Sequence, residues 1–506
     1  MIDKTIFDDN YRSKKSQLLK LSQAEKEERQ KAKKDFIFYL GECEDKRAAL
    51  LNFELLGQSW MNVDDLDYEP SQIIDNKIKP LIHKQARFMF GKEPDILFKP
   101  YDKNFKQTCE ELRQYIDAIL NASKFWSSTL KAFRIATVTK RVLLRLEANP
   151  NQPVRLFYHS IDDFNYENDS DDITKLKSVT FVREDPNNKK DNDSNNVWYR
   201  YTYYMNGENC YLRTETFKEN NLDLPFKETN KNTGLSKIPC WVIVNEQSIN
   251  NIYGSSDIKD LRPLQNAYNR RLSDFNDALR FLMFGQTVII DGNEDDVNSC
   301  NIAPNSLMAI KSLNLEEGGK QAQVKRVESG FSNAEPIKMY LKILDDSMHE
   351  KLAIPVEDKL TNVPSAKAIK YIFTELVARC EEKWNDWEPI IRSMLRLIVE
   401  SCSKFNCYSD WNSSWNNLQY SIVINKNYPI PEDEEDAKRL AMDEVVSKVK
   451  SRKNYIKEYS SDEDYKEQFN EILEETTLIQ NAQDSMINDA NNEINNIDKE
   501  LENDEE

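Results

Sequence analysis

Residues 254–292 read GSSDIKDLRPLQNAYNRRLSDFNDALRFLMFGQTVIIDG and predict one long helix that runs into a short strand. Pro263 shows where the helix begins, because proline lacks an N–H and is tolerated only in the first turn. We therefore place the N-cap near Asp260, and we expect Ser256 and Asp257 to cap a short turn just before it. At about 1.5 Å per residue the helix is roughly 35–40 Å long.

The predicted helix has two different faces. The spacing of its apolar residues indicates a narrow seam that packs against another helix; they are Tyr268, Leu272, Phe275, Leu279 and Leu282. The opposite face is polar and consists of Arg262, Asn266, Asn269, Arg270, Ser273, Asp277 and Arg280. Gly285 is expected to end the helix, and residues 287–290 form a β-branched run typical of a strand. The seam fits an intramolecular hairpin as well as a contact between copies of the chain.

The chain around this stretch predicts an α+β fold that is mainly helical. Helical spacing is found at residues 35–60, 73–90, 105–121, 124–139, 336–352, 366–403 and 432–474, and Pro389 is expected to kink the sixth of these helices. Alternating or β-branched runs predict strands at residues 142–146, 155–158, 178–183, 197–205, 210–216, 238–245, 307–310, 324–327 and 420–425. Asn206-Gly207 is a strong hairpin signal.

Charge and composition restrict the function. The net charge is −18. Residues 431–506 hold 24 acidic and 9 basic residues, whereas residues 11–34 hold nine basic and three acidic residues. The acidic end is unsuited to gripping nucleic acid, and we expect residues 481–506 to be disordered. No run of about 20 apolar residues predicts a membrane span, and we expect neither a cofactor nor a resident metal, since no phosphate-binding loop or metal-ligand motif is visible.

Two groups of aspartates leave an enzymatic alternative open. Asp162 with Asp163, or Asp169 with Asp171 and Asp172, could hold a hard cation. A metal-dependent DNA-processing enzyme is therefore the alternative function, and a non-ring virion adaptor or scaffold is another. Solvated loop carboxylates are the more common explanation of such clusters.

Several short motifs, in this order and spacing, resemble the portal proteins of tailed bacteriophages. They are Asn76-Lys77-Ile78, Phe90-Gly91-Lys92-Glu93-Pro94, Ile238-Pro239, Gly254-Ser255-Ser256-Asp257-Ile258, Tyr268-Asn269, Ser273-Asp274, residues 289–292, and Asn362-Val363-Pro364-Ser365-Ala366-Lys367-Ala368-Ile369-Lys370. The resemblance covers residues 35–480. It implies a portal fold with wing, stem, clip and crown and a long kinked helix that crosses the wing.

The resemblance implies a division of this chain into ten segments. They are a basic arm (1–34), the wing (35–253), the first stem helix (254–284), the clip (285–334), the second stem helix (335–352), the channel loop (353–364), the long kinked helix (365–403), a wing return strand (404–430), the crown (431–480) and an acidic tail (481–506).

The resemblance also implies a function without catalysis. A portal is a ring, normally a dodecamer, at the capsid vertex of a virion, and it is assembled in the bacterial cytoplasm. Double-stranded DNA passes through it during packaging and ejection. Its implied partners are the major capsid protein and scaffold, the terminase large subunit, and later a head-completion or adaptor protein; no membrane is involved.

In such a ring, two sets of residues are expected to have different roles. The seam would pack against the second stem helix and the next subunit. The polar face would line the channel, and the channel loop would project into it. The predicted DNA-facing residues are Lys359, Glu357, Asp358, Arg270, Asp277 and Arg280.

Overall fold

The structure is a computed structural model. It describes residues 9–41, 71, 73–169, 171–172, 175–185, 187–188, 196–248, 251–283, 286–290, 323–327, 334–356, 366–430, 434–459 and 465–503. The chain divides into two units, residues 1–362 with 371–429, and residues 363–370 with 430–506. Among the described residues, no helix is both long and apolar enough to cross a bilayer.

The fold is α+β with more helix than strand, as predicted. The helices are α1 (Asp9–Leu18), α2 (Gln23–Leu40), α3 (Ile78–Phe90), α4 (Lys106–Ala122), α5 (Phe125–Thr139), α6 (Arg262–Met283), α7 (Ala334–Lys351), α8 (Ala366–Ile372), α9 (Thr374–Phe405), α10 (Glu434–Val446), α11 (Arg452–Tyr459) and α12 (Tyr465–Asn503). The strands are β1 (Asp95–Pro100), β2 (Arg141–Asn149), β3 (Gln152–Ser160), β4 (Phe164–Asn168), β5 (Leu176–Glu184), β6 (Val197–Asn206), β7 (Asn209–Lys218), β8 (Lys227–Asn232), β9 (Cys240–Val244), β10 (Gln286–Ile290), β11 (Gln323–Val327) and β12 (Tyr420–Asn425).

The strands form small antiparallel sheets. Strands β4 to β8 lie side by side in chain order, β2 lies between β3 and β9, and β10 pairs with β11. The predicted hairpin at Asn206-Gly207 is confirmed, with Asn206 paired to Asn209 and Gly207 at φ +63°. Strand β12 was predicted at its observed residues, but its partner strand was not. It pairs with β1, and Ile96 lies opposite Ile424.

The long helix α9 carries the apolar core of the first unit. Trp384 and Trp387 are buried, and their rings lie 5.0 and 5.2 Å from that of Phe90. The helix continues through Pro389. The predicted continuous helix from residue 366 is wrong in one respect, because a break at Phe373 separates α8 from α9.

The amino-terminal prediction is corrected. The helix expected at residues 35–60 begins at Gln23, where the Ser22 hydroxyl accepts from the N–H of Glu25, and it ends before Gly41, whose φ is +61°. Hydrophobic spacing missed the part of this helix before Asp35, because one face buries charged residues: Arg29 is 3.0 Å from Glu25, which also pairs with Arg141 at 2.9 Å. Residues 42–60 lie outside the described part of the chain.

The second unit is helical. It contains α10, α11 and α12, of which α11 contacts both of the others. The expected disordered tail is wrong at least as far as Asn503, where α12 ends. Polar composition indicated disorder, but residues 465–503 contain no glycine or proline, and 18 of these 39 residues are strong helix formers (Glu, Leu, Gln, Ala, Lys and Met).

Candidate functional site: an anchored helix pair

The segment before α6 is fixed to its surroundings by backbone fit. Gly254 has φ +75°, and a Cβ there would lie 2.5 Å from the carbonyl oxygen of Asn245, so no side chain fits. The Ser256 hydroxyl donates to the carbonyl of Val138 at 2.8 Å, and the N–H of Asp257 donates to the carbonyl of Thr137 at 2.9 Å. The start of α6 is therefore tied to the end of α5.

A buried carboxylate anchors the same segment to the long helix α9. The side chain of Asp257 is 0% exposed. Its Oδ1 accepts from Lys383 Nζ and from Asn245 Nδ2, both at 2.9 Å, and its Oδ2 lies 3.2 Å from the guanidinium of Arg379. Buried Gln85 lies beside Asp257 and Arg379. In one orientation of its amide, it donates to Asp257 and accepts from Arg379. We call Asp257, Lys383, Arg379, Asn245 and Gln85 the anchor cluster.

The anchor cluster is electrostatically balanced. Burial works to raise the pKa of Asp257, but the charges of Lys383 and Arg379 outweigh it and hold this pKa below its usual value. Glu246 compensates the second cation, since its carboxylate lies 2.9 Å from Arg379 and 3.2 Å from Lys383. Asp257 is therefore ionised in the folded chain at neutral pH.

The polar face of α6 binds an extended segment of the same chain. Four side chains spaced four residues apart accept from four backbone N–H groups spaced two apart: Asp277 from Ser71 (3.0 and 3.1 Å), Ser273 from Ile73 (2.9 Å), Asn269 from Asp75 (3.1 Å) and Gln265 from Lys77 (2.9 Å). The spacing of the acceptors along α6 matches the spacing of the donors along the extended segment, because four helical residues rise about 6 Å and two extended residues rise about 6.6 Å. We call these four pairs the side-chain ladder.

The ladder corrects one predicted DNA contact. Asp277 is buried and both of its oxygens accept from Ser71, so in this chain its carboxylate holds the extended segment rather than facing a channel. Arg270 is half-buried and Arg280 is exposed, and both remain predictions. Lys359, Glu357 and Asp358 lie outside the described residues.

The predicted seam lies along a pair of helices. Helix α6 packs against α7. Burial raises the pKa of the Tyr268 hydroxyl, which donates to Asp75 at 3.4 Å. Tyr268, Leu272 and Phe275 are half-buried. Leu279 is 39% exposed, and the side chain of Leu282 lies outside the described ones.

The helix pair also exposes apolar side chains that the seam prediction did not include. On α7, Met339 is 66%, Tyr340 44% and Ile343 51% exposed, whereas Leu344 and Met348 on the other side are buried. Helix α7 therefore has one apolar side packed within the chain and a second one in solvent. An exposed apolar group of this kind is typical of a surface that contacts another protein.

The acidic pair of the enzymatic alternative is engaged by α1. Arg12 lies 3.1 Å from Asp162, and Lys15 lies 2.6 Å from Asp163. Burial works to raise the pKa of Asp163, but Lys15 outweighs it and lowers this pKa. In the part of the chain that the structure describes, no three His, Cys, Asp or Glu side chains are grouped to hold a metal ion. No observation here favours the metal-dependent enzyme.

Sequence reasoning missed the anchor cluster. It gave Asp257 the role of a turn cap and did not single out Lys383 or Arg379. A signal was present, because Lys383 lies one turn after Cys380 on the apolar side of a helix, where an unpaired cation would be costly. Its partner could not be identified from the sequence alone.

The apolar side chains that the anchored helix pair exposes are suited to a contact with another protein. The phage portal protein family, SPP1 Gp6-like, matches residues 18–482. The chain belongs to this family, which is structural rather than enzymatic. The family resemblance predicted from the sequence is confirmed. No curated protein matches the chain.

Solved structures of gene transfer agent (GTA) particles contain chains of distant similarity. A chain in the virion of the native particle is 10% identical, with 76% of this chain and 92% of that chain covered and a TM-score of 0.36. Chains in the neck of the empty particle with C6 symmetry (9%, 74% and 86%, TM-score 0.36) and of the native particle with C12 symmetry (10%, 75% and 88%, TM-score 0.35) are similar. The family assignment rests on the sequence match.

Replacing the anchor carboxylate should destabilise the first unit. Asp257→Asn keeps the shape but removes the charge that balances Lys383 and Arg379, and we expect the free energy of unfolding to fall by about 3 kcal/mol. Glu246→Gln is the matched control and should cost less than about 1 kcal/mol, because Glu246 is partly exposed. Urea unfolding followed by tryptophan fluorescence measures both. Equal effects of the two variants would contradict the role of Asp257.

The same carboxylate should give stability a defined pH dependence. The pKa of Asp257 is lower in the folded chain than the value of about 3.9 in an unfolded one, so its contribution is complete above about pH 5 and is lost as the pH falls through the folded pKa. The difference in unfolding free energy between wild type and Asp257→Asn should therefore shrink below about pH 4. A difference that stays constant from pH 7 to 3 would show that the carboxylate is not the cause.

Breaking the side-chain ladder should release the extended segment. In Asp277→Ala the N–H of Ser71 loses its acceptor, and we expect at least about tenfold faster amide hydrogen exchange at residues 71–77. Asp274→Ala is the control, since Asp274 is exposed and pairs with Arg271 rather than with residues 71–77. Hydrogen exchange read by mass spectrometry decides the point, and unchanged exchange in Asp277→Ala would disprove the ladder.

Proposed function

We propose that this protein is the subunit of a ring at the capsid vertex through which double-stranded DNA is packaged, retained and ejected. The observation that carries the proposal is the family match across residues 18–482. The ring docks the terminase motor during packaging and a head-completion or adaptor protein afterwards. Energy for packaging comes from the motor, so this chain needs no nucleotide site.

The helix pair α6–α7 is the proposed subunit contact. A closed ring requires each subunit to present two different surfaces, one to each neighbour. The exposed side chains of Met339, Tyr340 and Ile343 supply one apolar surface, and Leu279 together with the half-buried seam residues supplies a second. Burial of one such side chain stabilises a contact by roughly 1.5–3 kcal/mol. A ring repeats this contact at every subunit.

The anchor cluster has a mechanical role in the proposal. DNA under packaging pressure loads the stem, and the stem helix α6 must pass this load to the rest of the subunit. Asp257 ties the start of α6 to α9, while the ladder ties its length to residues 71–77. Both connections use hydrogen bonds inside the chain, so the stem is fixed before subunits meet.

The segments keep the roles that the family resemblance implies. The stem is residues 254–284 with 335–352, the clip is residues 285–334, and the wing is residues 35–253 with 404–430. The crown is residues 431–480, and α12 extends it beyond residue 480. The loop at residues 353–364 projects into the channel, where Lys359 is the phosphate contact, and Arg270 and Arg280 face the DNA.

The charge of the chain suits a conduit. Residues 431–506, with 24 acidic and 9 basic residues, carry −15 of the net charge of −18, so this part of the ring repels DNA over the Debye length of about 8 Å at physiological salt. Weak attraction at a few cations, combined with general repulsion, lets the DNA slide.

Charges placed on the exposed side of α7 should prevent ring formation. In Met339→Asp/Ile343→Asp the proposed contact would bury two carboxylates, and we expect monomers where the wild type forms rings. Lys338→Asp is the control, because it changes the net charge by the same −2 at an exposed position on another side of α7. Light scattering with electron microscopy gives the mass and shape. Intact rings of the double variant would disprove this contact.

Removing the channel loop should separate assembly from transport. Deletion of residues 356–363 leaves the stem helices and their contact in place, so rings should form with unchanged mass. DNA filling, measured as nuclease-protected DNA in an in vitro packaging reaction, should fall strongly. Normal filling would exclude the loop from the channel function.

A further inference from the structure

Two cysteines meet at the carboxy-terminal end of α9. The helix ends at Phe405, and Asn406 follows it in the left-handed conformation, with φ 47° and ψ 48°. In a helix that ends this way, a side chain of the last turn contacts the side chain that follows the left-handed residue. In this chain the two positions are Cys402 and Cys407. The helix end therefore brings two thiols together.

Both thiols are buried and bonded to each other. Cys402 is fully buried, and Cys407 is 5% exposed. The S–H of Cys402 donates to Sγ of Cys407, and the S–H of Cys407 donates to the carbonyl oxygen of Ser401 at 3.6 Å. A single buried cysteine normally acts as a small apolar side chain. Two cysteines in direct contact can in addition be joined covalently.

The β2–β3 hairpin holds this turn on both sides. The N–H of Asn151 donates to the carbonyl of Phe405, and the N–H of Val154 donates to the hydroxyl of Tyr408, both at 3.2 Å. These two bonds lie before and after Asn406, so the turn cannot open without breaking hydrogen bonds. The two sulfurs therefore stay together in the folded chain.

The two thiols differ in reactivity. Their hydrogen bond raises the pKa of Cys402 and lowers the pKa of Cys407. Because the thiolate is the reactive form of cysteine, Cys407 reacts first with a small oxidant. Burial raises the pKa of the other buried cysteines, which therefore stay protonated; they are Cys109, Cys210, Cys240 and Cys380.

We propose that Cys402 and Cys407 are a redox-sensitive pair that forms a disulfide at the end of α9. With hydrogen peroxide as the oxidant, the Cys407 thiolate attacks one peroxide oxygen, the O–O bond breaks, and a sulfenic acid and hydroxide form. The Cys402 sulfur then attacks the sulfenic sulfur, the S–S bond forms, and the sulfenic oxygen leaves as water. In total, two thiols lose two electrons and two protons, and one peroxide becomes two waters.

The disulfide covalently closes the turn against which the β2–β3 hairpin rests. Disulfides are rare in the cytoplasm and persist outside cells. In the proposed function the chain assembles in the cytoplasm and leaves the cell within a particle, so the pair is a dithiol during assembly and a disulfide afterwards. Only this timing rests on the proposed function, since the chemistry of the pair depends on the folded chain alone.

Peptide mapping of the oxidised full-length protein tests the proposal. Lys404 lies between the two cysteines, so trypsin separates residues 397–404 from residues 405–426. After treatment with hydrogen peroxide and alkylation of the remaining thiols, these two peptides should be joined by a disulfide that a reductant breaks. We expect at least about tenfold more of this product than of any other linked pair, because oxidation of cysteine is site-selective. Unlinked peptides, or linkage no greater than that of Cys210 with Cys240, would overturn the proposal and leave the proposed function standing.

Two matched variants test the order of the steps. In Cys402→Ser the oxidised Cys407 lacks its partner and should remain a sulfenic acid, which dimedone labels. In Cys407→Ser the fully buried Cys402 should remain a thiol, with at least about tenfold less label. Equal labelling of the two variants would overturn the role of Cys407 as the attacking thiol. If either variant fails to fold, the map of the wild-type protein still decides whether the pair forms a disulfide.

Discussion

The ion pair between Asp257 and Lys383 is the interaction on which the arrangement of the first unit depends. It joins the start of α6, the proposed stem, to α9, which carries the buried tryptophans of the core. Neither charge could be buried alone, because an unpaired ion in a protein interior costs several kcal/mol. The pair therefore fixes the segment before α6 against α9. Two further residues complete the pairing. Arg379 lies 3.2 Å from Oδ2 of Asp257, and Asn245 Oδ1 accepts from Lys383 at 2.8 Å.

The side-chain ladder extends this fixation along α6. Polar side chains on a long helix are normally expected to face water or a ligand. Here Gln265, Asn269, Ser273 and Asp277 satisfy the backbone of residues 71–77, which has the repeat of a strand but no strand as its partner. The polar side of α6 is thus partly engaged inside the subunit, and the channel-facing role of Arg270 and Arg280 stays a proposal.

Local sequence patterns predicted those features of the fold that depend on neighbouring residues. The α+β class, the bounds of α6 within two residues, and strand β12 followed from spacing, proline and β-branched runs. Strand β8 was missed because its six residues, KETNKN, are all polar and exposed and show no alternation. The first part of helix α2 was missed because its buried side is charged: Glu25 pairs with Arg29 and with Arg141 of β2. Pairings of this kind join residues more than a hundred positions apart, and one sequence contains no signal for them.

In the candidate site, too, some features could be predicted from the sequence and others could not. The seam on α6 and its neighbour α7 could be predicted, since both are amphipathic helices joined by a short strand pair. The role of Asp277 could not, because it depends on Ser71, some two hundred residues away. The exposed apolar side of α7 could not be predicted either, because it depends on which side of the helix the rest of the chain covers.

Electron microscopy of the purified wild-type protein, with its mass from light scattering, tests the central claim most directly. The account predicts closed rings with a central hole and a mass that is a multiple of 59.3 kDa, near twelve copies. A monomer that persists at high protein concentration and across salt concentrations would contradict it.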